Sequence, residues 1–191
     1  MNPNNMLLYN SVGTILEMLN DRGYDMSGIN KDDIYTGLTN KNNHTISMVI
    51  GDEVIEVIYY LPSKFKLAEA RTVININPKA KLTIIVLNDK LSANNTKSVL
   101  ELGQNINIFE IRELQFNITK HILVPKHEII RDDDIITDIV LRYNIKTKFQ
   151  LPHILKSDPM SRYLGLKTGD MVKITRTSPS AGEYIGYRVC L

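Results

Sequence analysis

The sequence predicts two modules of mixed α and β structure, α/β followed by α+β. A three-layer α/β domain spans residues 1–116, and a smaller two-layer mixed-sheet domain spans residues 117–191. Three observations carry this reading. The N-terminal elements run helix, hairpin, helix, strand, helix, strand, the order of an α/β sandwich. The stretch Leu151–Leu191 reads as a self-contained turn–helix–turn–strand–turn–strand unit. Charge also changes near Asn117: residues 1–116 carry 11 Lys/Arg against 13 Asp/Glu, a net −2, whereas residues 117–191 carry 12 against 8, a net +4.

Met6–Tyr24 is the first expected helix, with Leu7, Leu8, Val12, Ile15, Leu16, Met18 and Leu19 forming a wide apolar face and Gly23 ending it. Asn30-Lys31-Asp32-Asp33 caps a short second helix. His44–Ile50 and Val54–Leu61 flank Gly51-Asp52, a dipeptide suited to a hairpin turn. Lys64–Ile76 reads as helical, with Pro78 as its breaker. Leu82–Leu87 is apolar without alternation, as expected of a central strand covered on both faces. Ser92–Leu102 returns as a helix stopped by Gly103, and Ile106–Ile111 is the next strand.

In the second module, Ile122-Leu123-Val124 reads as a leading strand stopped by Pro125. Asp132-Asp133-Asp134 opens a helix through Tyr143, with Ile135, Ile136, Ile139 and Val140 on one face. Asp158 is an N-cap acceptor, Pro159 occupies a position whose N–H would lack a helical partner, and Gly165 ends this short helix. Gly169-Asp170 turns the chain into the strand Met171–Arg176. Ser178–Gly182 is a loop, and Tyr184–Cys190 is the returning strand.

Composition narrows the function classes. Of 191 residues, 43% are apolar and 23% charged, ordinary values for a globular protein. Apolar runs such as Ile55–Leu61 are too short to span a bilayer, so no membrane partner is expected. Met1–Asn10 shows no secretory signal pattern. The single cysteine, Cys190, cannot form an intramolecular disulfide and fits a reducing compartment. Neither module carries the dense basic stripe of a self-sufficient nucleic-acid binder.

Candidate chemistry gives way to structural readings. The Asp132–Asp134 run suits helix capping and the helix dipole better than a metal, which needs further ligands converging from elsewhere. Asp52, Glu53 and Glu56 invite a metal-dependent nuclease reading, but no Asp or Glu in the chain is followed two positions later by Lys. Asp89-Lys90, a near miss, would point to opposite faces of a strand. His44, His121, His127 and His153 are scattered, and zinc is not expected beside one cysteine. Cys190 has no orienting acid for a Cys–His hydrolase. A basic set remains: Lys156, Arg162, Lys167, Lys173, Arg176 and Arg188. Arg162 and Arg188 adjoin Tyr163 and Tyr187, and Arg with Tyr is the pairing favoured at the energetic centres of protein interfaces.

Four segments, in order, carry a family resemblance: NITKHILVPKHEII at Asn117–Ile130, LPHI at Leu151–Ile154, SDPMSRYLGLKTGDMVKI at Ser157–Ile174 and SAGEYIGYRVC at Ser180–Cys190. They resemble the C-terminal assembly domain of the fifth-subunit family of RNA polymerases, which is shared by eukaryotic polymerases I, II and III and has archaeal members. DRGY at Asp21–Tyr24 is shared with eukaryotic members. The resemblance implies an N-terminal jaw domain (1–116) with restriction-endonuclease-like topology and an assembly domain (117–191). It implies a non-catalytic subunit of a multisubunit DNA-directed RNA polymerase, without cofactor or metal of its own. The expected partners are the largest subunit, neighbouring small subunits and, weakly and without sequence preference, downstream duplex DNA. Partner-binding residues are expected at Arg162, Tyr163, Lys173, Arg176, Tyr187 and Arg188. DNA-facing residues are expected at Lys90, Ser92, Ala93 and Lys97, in a loop where Lys90-Leu91 replaces the family's Thr-Pro. The location would be the nucleus in a cell, or host cytoplasm or virion if a large DNA virus encodes the chain. The alternatives are a nuclease-fold protein or a free-standing nucleic-acid-binding module.

Overall fold

The computed structural model describes residues 3–40, 45–50, 52–62, 66, 79–102, 105–178 and 182–191. The expected helix Lys64–Ile76, its breaker Pro78, Gly51, the Gly103 stop and the loop residues Pro179–Ala181 fall at least in part outside these. The chain divides into two compact units, Met1–Phe116 and Asn117–Leu191.

In the first unit, α1 (Pro3–Asp21) buries Ser11, Val12, Thr14, Ile15, Met18 and Leu19, a helical spacing that makes one inward face. Gly23 takes φ 93°, and the Tyr24 N–H reaches back to the Leu19 carbonyl at 3.0 Å, closing the helix. Asp21-Arg22-Gly23-Tyr24 does more than terminate: the Arg22 guanidinium donates to Asn107 Oδ1 at 2.9 Å. Packed on α1 is α2 (Lys31–Asn40), whose Lys31 ammonium sits 3.7 Å from the Tyr9 ring centroid.

A four-stranded sheet follows, with β1 (Thr45–Ile50), β2 (Glu53–Tyr60), β3 (Ala80–Leu87) and β4 (Ile106–Glu110) in that spatial order. β1 and β2 form an antiparallel hairpin with Val49 opposite Val54, while β2, β3 and β4 are parallel. Between β3 and β4 runs α3 (Ala93–Leu100), capped by Ser92, which accepts from the Asn95 N–H. Alternation divides the sheet residues. Ile58, Tyr60, Ile85, Leu87 and Ile106 cluster with Val99 of α3. Val57, Tyr59, Ile84 and Val86 point the other way, where Tyr59 Oη hydrogen-bonds Ser11 Oγ of α1 at 3.1 Å. Helices therefore cover both faces, and Leu82–Leu87 is buried throughout. Asp89-Lys90 lies in a bend after β3, not in a strand, because β3 ends at Leu87.

The second unit begins with a 3₁₀ turn at Ile118–Lys120, capped by Asn117. Ile122-Leu123-Val124 is not a strand. The Val124 N–H bonds the His121 carbonyl at 2.9 Å and the Leu123 N–H bonds His121 Nδ1 at 3.2 Å, which curls the segment into a turn. The strand starts after Pro125, as β5 (Lys126–Ile130). Next come α4 (Asp133–Arg142), a 3₁₀ turn at Lys148–Gln150, the two-residue β6 (His153–Ile154) and α5 (Pro159–Leu164). The hairpin of β7 (Met171–Ser178) and β8 (Gly182–Cys190) completes the unit. The spatial order is β5-β7-β8-β6, with β6 the sole parallel neighbour. On one side of this sheet Met171 and Val189 pack with Ile139 of α4, Leu151, Ile130, Ile136 and Ile145. The molecule is thus of mixed α and β composition, built on two mixed sheets.

Candidate partner-binding surface

The β7–β8 register distributes the basic and aromatic residues between two faces. Lys173 stands directly opposite Tyr187 and beside Glu128 of β5, so these three share one face with Met171 and Val189. Arg188 opposes Val172 and Arg176 opposes Tyr184, which puts both arginines on the other face. The expected set is therefore not one cluster: the sheet divides it.

On the first face, Glu128 accepts from Lys126 Nζ at 2.6 Å and lies 3.6 Å from Lys173 Nζ. The Lys126 hydrogen bond, and secondarily the Lys173 charge, hold the Glu128 carboxyl below the usual carboxylate range. Tyr187 meets Tyr143 edge to face, ring centroids 5.9 Å apart. On the second face, Arg188 Nη1 donates to the His153 carbonyl at 3.2 Å, bracing β8 against the start of β6. Gly186 leaves room beside the Tyr184 ring, since a Cβ there would come within 3.4 Å of Tyr184 Cε1. Arg162 is half-buried on α5, whereas Tyr163 is only 4% exposed. The Tyr163 ring belongs to the core of the unit, so it offers no side chain to a partner.

The second unit also exposes large apolar side chains that sequence reading did not single out as surface. Ile122 is 95% exposed, Leu123 82%, Leu141 71% and Leu155 63%. A run such as Ile122-Leu123 looks like core in a sequence; the hint against it was His121 and Pro125 framing a tight turn.

In the first unit, Lys90 is exposed in the loop after β3, Ser92 is the α3 cap, and Ala93 and Lys97 are exposed on α3. The acids of the nuclease reading do not converge. Glu53 pairs with Lys81, while Glu56 is buried, three residues along the same strand and therefore on its opposite face. Asp132 accepts from the N–H groups of Asp134 and Ile135, as a cap does. Among the described residues, no group of three or more His, Cys, Asp or Glu is placed to hold a metal ion.

This geometry, a structural sheet unit with exposed apolar and basic surface, agrees with comparisons to known proteins. The family model for RNA polymerase Rpb5, C-terminal domain, matches residues 116–190. The DNA-directed RNA polymerases I, II, and III subunit rpabc1 of Dictyostelium discoideum is 33% identical over 187 residues, covering 93% of this chain and 94% of that protein. The chain belongs to the RNA polymerase Rpb5 family. Another relative, DNA-directed RNA polymerase V subunit 5A of Arabidopsis thaliana, is 28% identical over 194 residues, covering 91% of this chain and 83% of its own. DNA-directed RNA polymerase subunit Rpo5 of Methanocaldococcus jannaschii is 47% identical over 74 residues. That match is 39% of this chain but 92% of the archaeal protein. An Rpb5-family relative can therefore consist of little more than a segment the size of the second unit.

Proposed function

We propose that the chain is a non-catalytic subunit of a multisubunit DNA-directed RNA polymerase, held in the enzyme by residues 117–191 and extending residues 1–116 as a jaw along downstream DNA. One observation carries the division of labour. The archaeal Rpo5 is matched over 92% of its length by 74 residues of this chain, so what makes that protein a polymerase subunit fits within one small unit. The family model falls on residues 116–190, which supports giving this role to the second unit. The first unit, with parallel strands between helices, is read as the restriction-endonuclease-like jaw, a fold that among the described residues does not gather acids for cleavage. Nucleotide chemistry and its Mg²⁺ then belong to other subunits, and the chain works wherever its polymerase works, the nucleus in a cell.

The partner is the largest subunit, with neighbouring small subunits. Arg162, Arg188, Arg176, Lys173 and Tyr187 are the contacts proposed for it, and Lys90, Ser92, Ala93 and Lys97 for DNA. Co-expression with the largest subunit and pull-down tests the reading: the full chain and residues 117–191 should be retained, and residues 1–116 lost. Arg162→Ala and Arg188→Ala should each weaken retention by roughly 1–3 kcal/mol, with Arg162→Lys recovering little because lysine lacks the planar fork. Retention of residues 1–116 alone would reverse the roles.

A further inference from the structure

The sheet of the second unit leaves one edge open. β6 lies outside β8, but it holds only His153 and Ile154, which pair with Val189 and Cys190. Along Gly182–Arg188, β8 has β7 on one side and, among the described residues, no strand on the other. The hydrogen bonds show which backbone groups look outward. The Cys190 N–H donates to the Asp170 carbonyl on the β7 side at 2.9 Å, whereas the Val189 N–H donates outward to the Pro152 carbonyl at 3.0 Å. Alternation then turns the N–H and C=O groups of Glu183, Ile185 and Tyr187 away from β7. Continuing the β6 ladder past Val189 would need an N–H from residue 152, and Pro152 has none. The ladder therefore stops there and the edge beyond it stays unfilled.

Natural sheet edges are usually short or guarded by proline, bulges or inward charges. This one is Gly182-Glu183-Tyr184-Ile185-Gly186-Tyr187-Arg188, paired in unbroken register with β7 and free of proline. Its two charges stand near the ends. Between them Tyr184 is 60% exposed and Ile185 is 40% exposed, on opposite faces of the strand.

We propose that an extended segment of a partner polymerase subunit adds to this sheet as a further strand along β8. It would pair with the outward backbone groups of Glu183, Ile185 and Tyr187 and place apolar side chains beside Ile185 and Tyr184. This rests on the subunit reading above and adds to it the mode of contact. Backbone pairing supplies affinity, and the alternating side chains supply specificity. Charge argues for a foreign segment rather than a second copy of this chain. The unit carries 12 Lys/Arg against 8 Asp/Glu, a net +4, so two copies repel one another as wholes whereas an acidic segment is attracted. An acidic, apolar strand fits this edge better.

Amide hydrogen exchange on the full chain, free and in complex with the co-expressed polymerase subunits, tests the assignment. In the free chain the N–H groups of Glu183, Ile185 and Tyr187 should exchange at least ~100-fold faster than those of Tyr184, Gly186 and Arg188, which face β7. In the complex the same three should be protected at least ~10-fold. Ile185→Pro removes one outward N–H where an edge tolerates proline. It should leave the circular dichroism and melting temperature close to wild type while cutting recovery of polymerase subunits about tenfold, and Ile185→Ala, which keeps the N–H, should lose less. If Ile185→Pro does not fold, the wild-type exchange comparison decides alone. The proposal is overturned if the three amides stay unprotected in the complex, or if a folded Ile185→Pro chain recovers the subunits as well as wild type. It is also overturned if protection appears in the free chain and rises with its own concentration, which would give the edge to a second copy. A wild-type chain that recovers no polymerase subunit overturns the subunit reading itself, whereas recovery with an unprotected edge overturns the strand addition alone.

Discussion

Asp132 and Glu128 are neighbouring carboxylates put to different uses by their surroundings. The Asp132 side chain sits before the first turn of α4 and satisfies the N–H groups of Asp134 at 2.9 Å and Ile135 at 3.4 Å. Asp132→Ala should therefore cost about 1 kcal/mol in urea unfolding, and Asp133→Ala, which carries no such cap, clearly less. Glu128 is held ionised by Lys126 and then Lys173, below the ordinary carboxyl value of 4.5. A carboxylate depressed in the folded state binds protons more readily when unfolded. Its contribution is thus fully present above the unfolded value and is lost as pH falls through the folded one. Thermal melts taken from pH 6 downward should show wild type losing more stability on the acid side than Glu128→Gln, with the two curves converging in acid. The pair is exposed, so the difference should shrink in high salt.

Three helices end in one way. After α1, α4 and α5, the residues Gly23, Asn144 and Gly165 take left-handed φ values of 93°, 52° and 68°. The next residue's N–H then reaches back five positions: Tyr24 to Leu19, Ile145 to Val140 and Leu166 to Ser161. Gly165→Ala should destabilise by about 1–2 kcal/mol, because a side chain at that φ meets its own carbonyl, while leaving the native circular dichroism unchanged. The stops at Gly23 and Gly165 and the caps Asp132 and Asp158 were legible in the sequence, since each is settled by residues a few positions apart, whereas the Asn144 stop and the Ser92 cap were not read from it. Helix α4 was expected to run through Tyr143, and Tyr143 is its cap. The elements that were misread depend on distant partners. Two residues become β6 only because Val189 and Cys190 lie alongside, and nothing in Leu151–Ile154 announces them. Ile122–Val124 has strand composition, but His121 supplies the turn that removes it. The candidate surface was legible as a set of residue types and not as a geometry. Which face Lys173 or Arg176 occupies is fixed by pairing register, and the Tyr163 ring is buried while the neighbouring Arg162 is not.

At the scale of the whole molecule, the two units bring different resources to one enzyme. The first has a net charge of −2, so the DNA contact proposed for it would be slight. A salt titration of the full chain with duplex DNA should give weak binding with a shallow slope and no sequence preference; sub-micromolar, sequence-selective binding at physiological salt would sink the jaw reading. The second unit places its final strand in an interior position, since β8 lies between β7 and β6 in the order β5-β7-β8-β6. During synthesis, β5, β7 and β6 leave the ribosome before the strand that joins β6 to the others. The Met171 and Val189 side chains, both fully buried in one cluster, are separated in time as well as in sequence. The sheet therefore cannot close while the nascent chain is short of Cys190, and the second unit is the last to take shape. Under the docking role proposed for the second unit, incomplete chains released early would carry the first unit alone, and the order of strands would keep such premature products out of assembly.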